Sequence, residues 1–387
     1  MGEYLLREAS CPLCRDAAAV MLELTLSKRM ALPREVAIGC CPACQFAFVS
    51  PRQPSAYLDY YAAVCNDQLS GENGISERER IRYLAQIDAL REFVDTPGPL
   101  RILDLGCGRA GLLRTMQAEF PQHSYVGCDP VIAGHYQQID GVPMFRELAE
   151  LPGSFDVVIM SHVLEHVVDI DSMASLPAIM SPGAVLYVEV PDALRYADCP
   201  RREYMYYVDR LHVNHFTPTS LAKVLGRWGG KALRSGRQSF HYKDGGDYPA
   251  IYLIAGFDAS PEPPGMVGDD DLPLALERYF AQEKARARQW RAQHPQSGAV
   301  VAYGFGDNFF RARMAGGPLA ELELAGVVDA RWRELAQSEH AKEYRFYSLE
   351  DAVSRLPDAC YMVTLSWAAE EVAVRLRQAG IKNVQII

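Results

Sequence analysis

Hydrophobic positions in the middle of the chain fall into short apolar runs separated by segments with helical spacing. Between Arg101 and about Phe257 the apolar runs are RILDLG, SYVGCD, FDVVIM and AVLYVEV. Short runs of this kind predict buried strands, and their alternation with helices predicts a parallel sheet with helices on both faces. We therefore expect an α/β core over residues 96–258, with a twisted, mostly parallel sheet.

The segments on either side of this core have other patterns. Residues 1–50 contain short strand-like runs around paired cysteines, and residues 51–95 form a connector whose second half, ISERERIRYLAQIDALREFV, has helical spacing. The Pro- and Asp-rich stretch at 258–273 predicts a linker, and a charged helix then completes a connection over residues 259–291. The runs AVVAYG, ELAGVVD, CYMVTL and VQII predict a second, smaller Rossmann-like domain over residues 292–387.

Composition narrows the possible partners. The chain has 387 residues, of which 49% are hydrophobic and 23% charged, as in an ordinary globular protein of several domains. A net charge of −10 argues against a nucleic-acid partner, although a local basic cluster would still suit an anionic small substrate. With no long apolar run and no signal-peptide pattern, we expect a cytoplasmic monomer or homodimer with no membrane partner.

Two Cys-Pro-x-Cys pairs lie near the start of the chain, Cys11 with Cys14 and Cys41 with Cys44. Each C-x₂-C turn presents two thiolates to one ion, and two such pairs complete the tetrahedral shell that zinc prefers. Cys40 is an alternative to Cys41, although no proline follows it. Because four thiolates leave no open position for a substrate, we predict a structural Zn²⁺ in a small zinc-binding domain.

A glycine-rich turn follows the first strand of the predicted core, in the sequence RILDLGCGRAG. Glycines such as Gly106 and Gly108 let the backbone approach a ligand closely. Their spacing also fits the dinucleotide fingerprint, so the turn alone does not separate NAD from S-adenosylmethionine. Asp104 favours S-adenosylmethionine, because a carboxylate beside the turn repels a pyrophosphate and accepts hydrogen bonds from a cationic amino-acid group.

This turn and the later segment SHVLEHVVD resemble the first motif of class I methyltransferases and their segment after the fourth strand. The resemblance implies an S-adenosylmethionine site that contains Asp104, Gly106, Gly108, Asp129, Ser161 and His162. Asp129 ends the second strand and is implied to bind both ribose hydroxyls, a task that suits a carboxylate. The alternative is an α/β domain whose glycines only make a tight turn.

The whole chain resembles the sugar C-methyltransferase family, which acts on nucleotide-linked keto-deoxysugars. That family joins an N-terminal zinc domain, a class I methyltransferase core and a C-terminal Rossmann-like domain in this order. The resemblance implies that a base removes a proton next to a ketone, that the enolate is stabilised, and that carbon attacks the methyl sulfonium. The implied partner is a small molecule, a nucleotide-linked sugar.

The same family supplies its catalytic groups from a histidine after the fourth strand and a Tyr-His-Glu-His-like segment after the fifth. His166 matches the first histidine, and His215 in LHVNHFT matches the last one of the second segment. His212 stands in place of the family tyrosine and Asn214 in place of the glutamate. Because asparagine cannot act as a general base, we expect His215 or His212 to accept the proton, with Asn214 donating to an oxyanion or orienting the substrate.

Two other functions stay open. The same histidines suit removal of a hydroxyl proton, which predicts an O-methyltransferase for a sugar, a small metabolite or a natural-product scaffold. A non-catalytic scaffold protein that binds S-adenosylmethionine is the third possibility. A second glycine turn, YGFGDNF, precedes Asp329 and is a candidate for a second nucleotide site. The family resemblance implies instead a degenerate Rossmann-like domain that helps hold the substrate or forms only a wall of its cleft. Arg201 and Arg202 are candidates for a diphosphate.

Overall fold

A computed structural model describes residues 9–68, 74–242, 246–257, 270–294, 298–366 and 368–387. Of the linker predicted over 258–273, residues 258–269 lie outside the described part. In that part no helix is both long enough and apolar enough to span a membrane.

Short strands dominate the N-terminal part, as the sequence predicts. They are β1 (Ala9–Ser10), β2 (Ala17–Thr25), β3 (Glu35–Cys41) and β4 (Phe46–Ser50), and each is antiparallel to the next. Two helices follow, α1 (Pro54–Gln68) and α2 (Glu77–Val94). Helix α2 begins at a capping box, in which Ser76 and Glu79 satisfy each other's backbone N–H groups.

The central part alternates strands and helices. Its elements in chain order are β5 (Arg101–Leu105), α3 (Gly111–Glu119), β6 (Ser124–Cys128), β7 (Gln138–Ile139), β8 (Val142–Phe145), β9 (Phe155–Ser161), β10 (Met180–Pro191), β11 (Asn214–His215), α4 (Pro218–Arg227), β12 (Lys231–Tyr242) and β13 (Gly246–Gly256). Eight of these strands form one sheet in the order β12-β13-β10-β9-β5-β6-β8-β7. Strands β10, β9, β5, β6 and β8 are parallel, while β12, β13 and β7 are antiparallel to their neighbours. The predicted mostly parallel α/β sheet is confirmed.

Helices cover both faces of this sheet. On one face Ile87 of α2 and Leu113 of α3 pack with Ile159 of β9 in one buried cluster. On the other face Leu221 of α4 packs with Val188 of β10. Helix α2, which the sequence places in a connector, thus contributes to the core of the central sheet because its apolar stripe has no other surface to cover.

Strand β11 belongs to the N-terminal sheet and not to the central one. It runs antiparallel to β4, with Asn214 opposite Phe48 and His215 opposite Ala47. These two residues thus fasten the central part to the N-terminal sheet.

The C-terminal part forms a second parallel sheet. Its elements are α5 (Leu272–Gln293), β14 (Val300–Tyr303), α6 (Asp307–Arg313), β15 (Leu324–Val328), α7 (Trp332–Leu335), β16 (Phe346–Tyr347), α8 (Leu349–Arg355), β17 (Cys360–Val363), α9 (Ala369–Gln378) and β18 (Val384–Ile386). The strand order is β16-β15-β14-β17-β18, with every pair parallel. Helix α5 packs against β2 and β3. It therefore bridges the N-terminal and C-terminal parts, as its charged sequence predicts.

A buried arginine joins the three parts of the molecule. Arg210 is fully buried, and its guanidinium donates to the carbonyl oxygen of Pro33 at 3.0 Å and to that of Ser27. It also pairs with the carboxylate of Asp307, at the start of α6. One side chain thus ties the central part to both the N-terminal sheet and the C-terminal sheet.

Candidate functional site

The four cysteines of the two Cys-Pro-x-Cys pairs meet at one point. Their Sγ atoms all lie within 4.8 Å of one another, and those of Cys14 and Cys41 are 3.6 Å apart. Two sulfurs on a tetrahedral zinc ion, each at about 2.3 Å, are separated by about 3.8 Å. All four thiols are free and three are buried. The residues present therefore fit a Cys₄ zinc site.

Strand β3 decides between the two adjacent cysteines. Successive side chains of a strand point to opposite faces, so Cys40 and Cys41 belong to different hydrophobic clusters. Cys41 packs with Cys11 and Cys44, whereas Cys40 packs with Leu24. The side chain of Cys40 therefore points away from the other three thiols, and Cys41 is the fourth member of the cluster.

The glycine turn after β5 has an open side and a closed side. Gly106 and Gly108 both adopt positive φ, at 70° and 50°. A Cβ atom on Gly106 would lie 2.5 Å from Cγ2 of Val163, whereas no atom lies within 4 Å of the corresponding position at Gly108. The turn therefore packs against the segment after β9 and leaves the backbone of Gly108 accessible to a ligand.

Two carboxylates flank this turn. Asp104 is 4% exposed, and burial raises its pKa to about 8, with Arg82 opposing the rise and Asp129 adding to it. One oxygen of Asp129 accepts from the Gly108 N–H at 3.1 Å, and the other accepts from backbone N–H groups at the start of the next turn. A buried carboxylate beside a second one is stabilised by a cationic ligand group. The predicted cofactor residues Asp104, Gly106, Gly108 and Asp129 are thus brought together.

A buried polar network adjoins the segment after β9. His162 has a positive φ of 55°, and its Nδ1 and Nε2 lie 3.1 Å from carboxylate oxygens of Glu165 and Glu189 respectively. Burial lowers the pKa of His162, but the hydrogen bonds to both glutamates outweigh it and raise the pKa to about 9. Gln86 donates to Ser161 at 2.7 Å and also to Glu189. Ser161 and His162 are therefore engaged with protein groups, and their contact with the cofactor stays a prediction.

Three members of this network were not foreseen. Gln86, Glu165 and Glu189 are not among the site residues predicted from the sequence. Glu189 stands inside the apolar run AVLYVEV, and a charged residue in an otherwise buried strand is itself a signal of a polar site. Gln86 lies on α2 and carries no such signal.

His166 and His212 form a pair beside this network. Their ring centroids are 4.9 Å apart, and both residues are partly exposed. Nδ1 of His166 lies 2.9 Å from the carbonyl oxygen of Leu211 and 2.9 Å from the hydroxyl of Tyr61. A carbonyl only accepts, so Nδ1 carries the hydrogen and Nε2 of the neutral ring keeps its lone pair.

His212 adds a second nitrogen that has no hydrogen-bond partner. Its Nδ1 is buried and unbonded among the residues that the structure describes. Burial lowers the pKa of His212, against an opposing effect of Asp209, whose carboxylate accepts from the His212 backbone N–H at 3.0 Å. The pair therefore presents free ring nitrogens close to each other.

The other two predicted catalytic residues are buried in structural positions. The Asn214 amide donates to the carbonyls of Leu164 and Val167, both at 2.8 Å, and its oxygen accepts from Arg52 at 3.0 Å. With this bonding Asn214 clamps the segment that carries His166, and its predicted contact with the substrate stays a prediction.

His215 is fully enclosed. The residue has no exposed surface, and its Nδ1 lies 3.1 Å from the hydroxyl of Tyr196. Burial, with a smaller effect of His212, lowers its pKa to about 3. A proton acceptor has to reach its substrate, so this burial counts against the predicted role, which stays untested.

A cavity of about 470 Å³ opens beside His212, between the central and C-terminal parts. It is lined by five arginines, which are Arg29, Arg78, Arg201, Arg202 and Arg311, against three acidic residues, which are Glu203, Asp209 and Asp307. The predicted pair Arg201 and Arg202 is thus part of a larger basic surface. The other arginines come from distant segments, so no local pattern announces them.

The second glycine turn, after β14, repeats the arrangement of the first. The Phe305 N–H donates to Asp329 at 2.9 Å, as that of Gly108 does to Asp129. Here, however, Arg331 donates to the other oxygen of Asp329 at 3.2 Å. The chain's own guanidinium takes the place of a ligand, in keeping with the degenerate fold that the sequence predicts.

The part of the chain that carries the glycine turn and the polar network also matches a known protein family. Residues 76–232 match the family model described as a methyltransferase domain. This part of the chain is thus similar to a methyltransferase domain. The match begins at α2, before the predicted start of the core at residue 96, and agrees with the packing of that helix on the central sheet.

Curated relatives match less than a third of the chain. The chain is 37% identical over 101 residues to a ubiquinone biosynthesis O-methyltransferase of Rhizobium etli, which is 23% of the chain and 40% of the relative. It is 30% identical over 125 residues to a trans-aconitate 2-methyltransferase of Acidovorax ebreus, which is 30% of the chain and 47% of the relative. The chain thus spans less than half the length of these relatives.

Solved methyltransferase structures show a distant likeness. One is the 1,6-didemethyltoxoflavin-N1-methyltransferase of Burkholderia thailandensis, with 18% identity and a TM-score of 0.38 over 59% of the chain and 99% of that structure. Another is magnesium protoporphyrin IX methyltransferase of Synechocystis with bound SAH, with 19% identity and a TM-score of 0.37 over 51% and 96%. At these scores the fold assignment rests on the strand order and the family match.

Proposed function

We propose that this protein is an S-adenosylmethionine-dependent methyltransferase whose acceptor is an anionic small molecule, a nucleotide-linked keto-deoxysugar methylated at carbon. The observation that carries the proposal is the shared position of the histidine pair and the basic cavity. His212 lines a cavity that five arginines surround, and His166 lies beside it.

The glycine turn fits the cofactor. Asp104 and Asp129 supply carboxylates for a cationic amino group and for hydroxyls, and the backbone at Gly108 is open on one side. When bound there, S-adenosylmethionine supplies an electrophilic methyl group on a sulfonium. We propose that Ser161 and His162 border the same site.

The acceptor would lie next to this turn. Val163 packs against Gly106, and the His166 backbone N–H donates to the Val163 carbonyl at 2.9 Å. His166 is therefore separated from the Gly106 backbone only by Val163 and the single 3-10 turn Leu164–His166. A ring nitrogen with a free lone pair at this position suits the activation of an acceptor by uptake of its proton.

The basic cavity would hold the charged part of the acceptor. Arginine guanidinium groups bind phosphates and carboxylates with paired hydrogen bonds. Five arginines against three acidic residues give the wall an excess of positive charge in a chain whose net charge is −10. A diphosphate is the anionic group that a nucleotide-linked sugar brings.

The N-terminal and C-terminal parts would support this site. We propose that a structural zinc ion on Cys11, Cys14, Cys41 and Cys44 stabilises the N-terminal sheet, to which β11 is fastened. The C-terminal Rossmann-like part would complete the wall of the acceptor cavity. The predicted division into 1–50, a helical connector, a core, a linker and 292–387 is retained, with α2 moved into the methyltransferase domain.

O-methylation is the second candidate. Two curated relatives are named as a ubiquinone biosynthesis O-methyltransferase and a trans-aconitate 2-methyltransferase. Asn214 is also engaged as a clamp, so a glutamate-dependent enolisation has no counterpart in this chain. Both points favour transfer to an oxygen of an anionic acceptor.

A labelled-methyl assay tests the proposal. The protein would be incubated with methyl-labelled S-adenosylmethionine and either a nucleoside-diphosphate keto-deoxysugar or a tricarboxylic acid, with products read by mass spectrometry. We expect label on the nucleotide sugar, and tandem fragmentation separates a carbon-bound methyl from an oxygen-bound one.

Arginine variants locate the acceptor. Arg202→Gln is expected to raise the KM for the nucleotide sugar roughly tenfold, by the loss of a charged hydrogen bond. Arg331→Gln, at an arginine that does not line the cavity, serves as the matched control and is expected to leave KM unchanged. Label on the tricarboxylic acid alone would replace the sugar proposal with the second candidate.

A further inference from the structure

Glu165, His166 and His212 come together at the edge of the basic cavity. Each offers one ligand atom, and these three atoms lie within 4.8 Å of one another. This cluster is separate from the four cysteines and contains no sulfur. A carboxylate and two imidazoles form the ligand set of many divalent transition-metal sites.

The carboxylate of Glu165 is the buried member of the cluster. The residue is 1% exposed, and its Oε1 lies 3.1 Å from Nδ1 of His162. Its Oε2 is buried without a hydrogen-bond partner among the described residues. A buried acceptor with no donor is costly, and a cation would satisfy it.

The contacts of Glu165 leave one of its oxygens open to a cation. His162 lies between the carboxylates of Glu165 and Glu189, each 3.1 Å from one of its ring nitrogens. Oε1 of Glu165 is thus engaged by His162, and Oε2 is the atom that a metal ion would meet.

The two histidines are oriented as metal ligands are. His166 donates its Nδ1–H to the Leu211 carbonyl at 2.9 Å, which fixes the ring and leaves Nε2 with its lone pair. Nδ1 of His212 is buried and unbonded, while the backbone of His212 is held by Asp209 at 3.0 Å. Hydrogen bonds from the outer shell thus set both rings before any ion binds.

We propose that Glu165, His166 and His212 bind one divalent transition-metal ion, such as zinc, iron(II), cobalt or manganese. Imidazole ligands argue against calcium and magnesium, which prefer oxygen. Three protein ligands leave further coordination positions, and because His212 lines the cavity these positions face it. Ligand atoms on a zinc-sized ion lie about 3.4 Å apart, so the side chains would close slightly around it.

Such an ion gives the histidine pair a specific task. Resting on the proposed function, the open positions would take an oxygen of the acceptor, either the ketone or a hydroxyl, and polarise it. Acceptor activation would then need neither the buried His215 nor a glutamate in place of Asn214. The ion would stabilise the negative charge on that oxygen, and the released proton would pass to water in the open cavity. Nε2 of His166 would then act as a metal ligand in place of its role as proton acceptor.

Cobalt(II) titration tests the site directly. Full-length protein with its cysteine site already loaded with zinc is titrated with Co²⁺ alone, and ligand-field absorption is followed in the visible range. We expect one equivalent of Co²⁺ to bind without the thiolate charge-transfer band that a cysteine site gives. His166→Gln and His212→Gln should each weaken binding by at least about tenfold, since each removes a ligand.

His241→Gln is the matched control. His241 is an exposed histidine whose Nδ1 lies 2.8 Å from a carboxylate of Asp247, and it is remote from the cluster in the sequence. The His241→Gln variant should bind Co²⁺ with the affinity of the wild type. Absence of binding in the wild type, or equal binding in the two cluster variants and the control, would overturn the proposal. Glu165→Gln, which keeps the side-chain shape, gives a further variant if a histidine variant folds poorly.

The titration needs neither cofactor nor acceptor, so it is independent of the proposed function. Cobalt binding at this cluster with no methyl transfer to any anionic acceptor would contradict the function and leave the metal site standing. Methyl transfer by a protein that binds no cobalt here would contradict the metal site alone.

Discussion

Nδ1 of His162 lies 3.1 Å from Oε1 of Glu165 in the segment that packs against the glycine turn after β5, and the Glu165 side chain is buried whereas that of His162 is 12% exposed. Burial raises the pKa of Glu165, but the hydrogen bond from His162 outweighs it and lowers the pKa to about 2. The same contact, with a second one to Glu189, raises the pKa of His162 to about 9. The pair is therefore ionised across the neutral pH range.

This pair predicts that stability falls as pH rises above neutrality. The pKa of His162 is about 6.5 in the unfolded chain and about 9 in the folded one, so the folded state binds the extra proton between these values. Its contribution is complete below pH 6.5 and is lost as pH passes 9, and we expect a loss of about 1–3 kcal/mol. Urea unfolding at a series of pH values measures it. His162→Gln should flatten the dependence, and an equally steep loss in that variant would contradict the assignment.

Glu165 acts at the opposite end of the pH scale. Its pKa is lowered from 4.5 to about 2, so its contribution is complete above pH 4.5 and is lost as pH falls through 2. The two groups together place the most stable range between these limits. Unfolding curves of the wild type at mildly acidic pH should show no loss from this pair.

Metal analysis tests the cysteine site. Purified protein is expected to contain zinc at the four thiols, and Cys41→Ser should release it and loosen the N-terminal sheet, because the ion would join the β1–β2 turn to the β3–β4 turn. Cys40→Ser is a close control, since the neighbouring side chain points to the other face of β3. Elemental analysis and near-UV circular dichroism give the readout. A folded wild type without metal at this site, or equal metal loss in both variants, would contradict the assignment.

Local elements of the fold follow from the sequence because their signals are local. The strands β5, β6, β9 and β10 coincide with the apolar runs RILDLG, SYVGCD, FDVVIM and AVLYVEV. The two Cys-Pro-x-Cys turns likewise bring their thiols together. Each depends on residues within a few positions of one another, where periodicity and spacing are informative.

The parts that escaped prediction depend on contacts between distant segments. Strand β11 has only two residues, and its pairing with β4 joins positions more than a hundred residues apart. The segment after β9 forms a short 3-10 turn, Leu164–His166, and Asn214, some fifty residues away in sequence, donates to the carbonyls of Leu164 and Val167. Arginines of the cavity likewise converge from three parts of the chain. No local pattern in the sequence predicts these contacts between distant segments.

The Asn214 clamp predicts a stability defect that also lowers activity. Asn214→Ala removes two hydrogen bonds to the segment carrying His166 and leaves Arg52 without one acceptor. We expect a loss of about 2–3 kcal/mol in the free energy of unfolding and a lower kcat with little change in cofactor affinity. Asn383→Ala, at an exposed position near the C-terminus, is the control. A fall in acceptor affinity with unchanged stability would instead support the substrate contact expected from the sequence.

The Arg210–Asp307 pair predicts coupling between the central and C-terminal parts. Asp307→Ala leaves a fully buried guanidinium without its charged partner, which typically costs about 3–5 kcal/mol. The double variant Arg210→Met with Asp307→Leu should recover much of this loss, because no unpaired charge is left. Urea unfolding followed by tryptophan fluorescence measures both variants. An Asp307→Ala protein as stable as the wild type would show that the pair does not hold the parts together.

Calorimetric titration with S-adenosylmethionine tests the central claim most directly, with NAD and the Asp129→Ala variant measured alongside. The account predicts micromolar binding of S-adenosylmethionine to the wild type, a large loss of affinity in Asp129→Ala, and no response to NAD, since the carboxylates at the glycine turn favour a cationic ligand over a pyrophosphate. Failure to bind S-adenosylmethionine, or a preference for NAD at the same turn, would contradict it.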